Sequence, residues 1–87
     1  MSKGLFKRTG VRYEVACDVI GALIAHYSEI LATEYDKEIP DQAVIDAATA
    51  EKKALRDKRE ALDSSDSKAI EAAIATYGPQ ARALYQK

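Results

Sequence analysis

The sequence predicts an all-α protein: an antiparallel three-helix arrangement, with a long helical hairpin and a third helix kinked at Gly78–Pro79. Three observations predict it. Sixteen of the 87 residues are alanine, the residue that loses least on entering a helix. The larger apolar residues recur in steps of three and four, and no segment alternates as a strand would. Short polar or proline-bearing breaks separate the periodic stretches, near 36–40, 63–67 and 78–79.

Residues 1–8 read as a flexible basic arm, and 9–87 as one helical domain. Thr9 is placed to cap the first helix, which is expected over about 10–35. Tyr13, Cys17, Ile20, Ile24, Tyr27, Leu31 and Tyr35 mark its inward stripe. A second line, Gly21, Ala25, Ser28 and Ala32, is small where an exposed face is usually charged. Small side chains let another backbone approach closely. This line is expected to be a self-association or close-packing face, with the first helix at the centre of the fold.

Pro40 and Asp41 open the second helix, expected over 41–62, since proline fits a first turn and an acid suits the helix dipole. Its seam is read as Val44, Ala47, Ala48, Ala54, Leu55, Ala61 and Leu62. That seam is thin. Three i,i+4 pairs are expected on its outer face: Lys53–Asp57, Arg56–Glu60 and Arg59–Asp63. The run Asp63 to Ser67 favours a turn. The third helix is expected over 67–77, carrying Ile70, Ala73, Ile74 and Tyr77. Gly78–Pro79 stops or kinks it, and 80–86 forms a short last turn.

Composition excludes several function classes. The balance of 47% hydrophobic and 31% charged residues is that of a folded chain. One cysteine and one histidine cannot build a zinc cluster. Leu23 stands where a carboxylate-bridged di-iron bundle would need the glutamate of Glu-x-x-His. Cys17 and His26 are nine residues apart, about 13 Å along a helix, beyond any nucleophile–base contact. No glycine-rich phosphate loop or EF-hand spacing occurs. No cofactor and no small-molecule substrate is therefore expected, and the protein reads as a non-enzyme. A lone cysteine favours a reducing compartment. Glu14 and Asp18 interrupt any signal-peptide core, and the most apolar stretch, 19–32, is too short for a membrane span. A cytoplasmic location without membrane contact follows as the expectation.

Net charge is −1, but residues 1–13 carry +4 and the rest −5. Two binding readings follow. The first is a non-enzymatic protein-interaction module (a regulator, inhibitor or adaptor), partnered by another protein or by itself as a homodimer. Its evident surfaces are the small-residue line and an acidic docking patch at Glu34, Asp36, Glu38 and Asp41. The alternative is a nucleic-acid-binding accessory protein using Lys3, Lys7, Arg8 and Arg12 against phosphates, with counterion release supplying affinity.

Overall fold

The computed structural model describes residues 8–85, with side chains described over 10–85. Three helices follow in order: α1 (Arg8–Tyr35), α2 (Gln42–Ala61) and α3 (Ser67–Leu84). No strand occurs among the described residues. The expected all-α architecture is the observed one, and α1 is its centre. It packs against both α2 and α3, whereas those two barely touch each other.

Local chemistry sets the ends of the elements. α1 begins at Arg8, so Thr9 lies inside its first turn and is not its cap. Asp41 caps α2: its backbone is extended and its carboxylate accepts from the Ala43 amide at 2.9 Å. Pro40 therefore sits just before the cap, outside the helix. Asp66 caps α3 by accepting from the Ala69 amide at 3.1 Å. The α2–α3 turn is held by Asp63, which accepts from both the amide and the hydroxyl of Ser65. These two bonds hold its carboxyl below the ordinary carboxylate range.

Of the stop or kink expected at Gly78–Pro79, the stop does not occur. α3 runs through Pro79 as one helix of 18 residues. Proline has no N–H, so the Ala75 carbonyl loses its intrahelical partner. Ala75 and Pro79 are both exposed, so water can satisfy that carbonyl. Beyond the proline, buried Ala81 and half-buried Leu84 pack on the core, so the helix continues past it.

The core lies where α1 meets both neighbours. Ala16, Ile20 and Leu23 of α1 meet Leu55 of α2 and Ile70, Ala73 and Ala81 of α3. Ile20 and Ile70 are fully buried. The α2 seam differs from the expected one. Its inward residues are Val44, Ile45, Ala48, Lys52, Leu55, Arg59 and Leu62, each buried or half-buried. Ile45 was missing from the expected seam, and Ala47, Ala54 and Ala61 prove exposed. Lys52 and Arg59 fit because long basic side chains bury their stems and keep their charges wet.

α3 is shorter than α1 and parallel to it. Arg12 holds Glu71 through a two-pronged ion pair, at 2.8 and 2.9 Å. Further along, Ala81, Arg82 and Tyr85 border a shallow cleft with Asp18, Val19 and Ala22. The final turns of α1 are therefore covered by α2 alone. The chain measures 56 × 28 × 22 Å, with a radius of gyration of 15.6 Å. A compact chain of this length would have about 12 Å.

α1 is also unusually apolar. Over Gly10–Tyr35 it contains an 18-residue window of mean hydropathy 1.5, long and apolar enough by length and composition alone to cross a membrane. That reach exceeds the fourteen residues read from the sequence. Only 17% of the window is buried, so two neighbours leave much of this helix uncovered.

Candidate functional site

The α1–α2 junction accounts for much of the acidic patch. Glu34 is buried, at 4% exposure. One carboxylate oxygen accepts from the Asp41 amide at 2.8 Å, and the other accepts from the Lys37 ammonium at 2.9 Å. The Asp41 bond and then the Lys37 bond hold the Glu34 carboxyl below its ordinary value of 4.5. Glu34 is thus a structural tie across the junction. Asp41 is occupied as the α2 cap. Of the four expected patch residues, only Asp36 and Glu38 are exposed acids without a side-chain partner among the described residues. Ile39 beside them is 87% exposed.

The small-residue line of α1 is divided between two environments. A methyl group added to Gly21 would lie 3.4 Å from the Arg59 guanidinium. Gly21 therefore makes room for a long side chain of α2. Ser28 donates its hydroxyl to the Ile24 carbonyl at 3.0 Å, within its own helix. Ala25 and Ala32 remain exposed. The rest of that outer face carries Glu14, Asp18 and Glu29, all exposed, at helical spacing with the alanines.

The basic residues are also partly spoken for. Lys3 and Lys7 lie outside the described residues, and only the backbone of Arg8 is described. Arg12 is engaged by Glu71, which raises its already high pKa. On α2, Lys53 pairs with Asp57 at 3.0 Å. The other two expected pairs do not form: Arg59 turns in over Gly21, and Asp63 serves the α2–α3 turn. Arg56 and Glu60 make no ion pair among the described residues.

Cys17 is half-buried and free of any disulfide, and the neighbouring Tyr13 phenol is raised above 10.0 by that thiol one turn away. His26 stacks edge-on against Tyr27, with ring centroids 5.3 Å apart. No group of three or more His, Cys, Asp or Glu side chains gathers as a metal site among the described residues.

One concavity lies where the sequence predicts none. Because α2 and α3 lean on α1 but not on each other, a cleft of about 290 Å³ opens between them. Ala61, Ala69, Ala72 and Ala73 line it, with Leu62 and Tyr77. Lys58 and Thr76 stand at its edge. The α2 wall continues through exposed Ala54 and Ala47, at seven-residue spacing. Alanines on facing walls are what a further helix requires to approach closely. The signal was present in the sequence, in the excess of alanine on α2, but was assigned to the internal seam. No family model, curated protein or solved structure matches this chain.

Proposed function

We propose that this protein is a non-enzymatic helical interaction module that self-associates, a second copy covering apolar surface that its own three helices leave open. One observation carries the reading: α2 and α3 both pack on α1 yet leave an alanine-lined cleft between them. Symmetric dimers are the commonest way such surface is covered, and small domains with slim cores gain stability from it.

Stability should then depend on concentration, because association stabilises the folded chain by mass action. Thermal unfolding across a hundredfold dilution series tests this. The reading expects the midpoint to rise steadily with concentration. A midpoint independent of concentration, over a range reaching hundreds of micromolar, rejects it.

A further inference from the structure

Resting on the self-association reading, we infer that the second copy seats antiparallel on the flank of α2 formed by Ala47, Glu51, Ala54, Lys58 and Ala61, with Ala54 at the two-fold axis. All five residues are exposed. They lie four and three apart, so they form one line along the helix. This line is turned roughly 110° from the α1-facing seam, at 100° per residue, and it enters the cleft at Lys58 and Ala61.

The line complements itself. A symmetric antiparallel pair centred on Ala54 sets Ala47 opposite Ala61 of the partner subunit. It also brings Glu51 beside Lys58 of the partner subunit, and Lys58 beside Glu51 of the partner subunit. Each dimer then holds two opposite-charge contacts that flank an alanine seam. A parallel pair would set Glu51 against its own copy, and Lys58 likewise. The charges therefore specify both the partner and its direction.

Neither Glu51 nor Lys58 makes an ion pair or side-chain hydrogen bond among the described residues. Neither has a charged residue three or four positions away: Glu51 faces Ala47, Ala48, Ala54 and Leu55, and Lys58 faces Ala54, Leu55, Ala61 and Leu62. By contrast, Lys53 on the opposite flank already holds Asp57. The outer face of α1 fails the same test. Its charges are Glu14, Asp18 and Glu29, so a second copy placed there would meet acid with acid.

The area is also sufficient in kind. The α2 helix of the partner subunit, seated on this flank, would meet Ala69, Ala72 and Thr76 of α3 across the cleft. The contact then spreads beyond one helix pair toward a standard interface.

Charge exchange tests the register. Glu51→Lys and Lys58→Glu should each weaken self-association by roughly tenfold or more, since both contacts become repulsive. Mixed in equal amounts, the two variants should recover association as a heterodimer, because every contact is again of opposite charge. The double variant should recover it as a homodimer. Circular dichroism should find all variants folded, as both positions are solvent-exposed. Dimers of unchanged affinity in the single variants would overturn this assignment while leaving self-association standing. A wild-type chain that stays monomeric at every concentration would overturn both.

Discussion

Ile20→Ala is the substitution that separates burial from chemistry most cleanly. Ile20 is fully buried at the meeting of all three helices, whereas Ile39 is 87% exposed in the α1–α2 connector. The same change at both sites removes three carbons. At Ile20 their transfer free energy amounts to about 2.4 kcal/mol, at about 0.8 kcal/mol per buried methylene. The unfilled cavity adds to this, within the range of about 2–5 kcal/mol seen for such truncations. The cleft between α2 and α3 lets the site collapse in part, so about 3 kcal/mol is expected. A chain of this length has only about 4–13 kcal/mol in total. The melting midpoint should fall by about 12–24 °C. Ile39→Ala should move stability by no more than about 0.5 kcal/mol. Urea titration followed by helical circular dichroism, at one fixed protein concentration, gives both values. A cost below about 1 kcal/mol at Ile20, or equal costs at the two sites, would refute the packing described.

Three further outcomes follow from particular contacts. Glu34→Gln should flatten the acid limb of the stability curve. A carboxyl held below its ordinary value contributes stability above pH 4.5 and loses it as pH falls through the lowered value. Urea midpoints from pH 7 downward would show the wild type declining in that window and the variant declining less; parallel curves would contradict the tie to Asp41 and Lys37. Pro79→Ala should stabilise by about 1–3 kcal/mol, since it restores an N–H to the middle of α3 at an exposed site; a lower urea midpoint would mean that the proline is structurally required. Gly21→Ala should stabilise by about 0.5–1 kcal/mol through helix propensity, as its new methyl meets only the movable end of Arg59 at 3.4 Å; a destabilised variant would show that Arg59 cannot give way.

The fold was legible in the sequence wherever periodicity and turn chemistry agreed. The breaks at Asp36–Asp41 and Asp63–Asp66 are where they were expected, because Asp41, Asp63 and Asp66 each offer a carboxylate to a nearby amide. Gly78–Pro79 does not end α3, because a local stop signal is outweighed by the packing of Ala81 and Leu84. The α2 seam misled for a different reason. Reading only apolar residues inward favours Ala47, Ala54 and Ala61. The actual seam keeps its three-and-four spacing only if Lys52 and Arg59 are allowed in it. That was legible from Ile45, Ala48, Leu55 and Leu62, once basic stems are counted as packing groups.

The candidate site was less legible, since it depends on how far α2 and α3 stand apart. Spacing within a helix shows which residues share a face, but not which neighbour leaves that face open. Likewise, four acids near the α1–α2 junction look equivalent in sequence. Burial and two hydrogen bonds single out Glu34 as part of the scaffold. The cleft, bordered by a flank whose Glu51 and Lys58 have no ion-pair partner among the described residues, emerges only once α1 is seen to hold both neighbours apart.

The most direct test of self-association is the mass of the full chain in solution, measured by light scattering across a concentration series. The account predicts a shift from 9.5 kDa toward twice that value, about 19 kDa, as concentration rises. A mass that stays at 9.5 kDa up to hundreds of micromolar would contradict it.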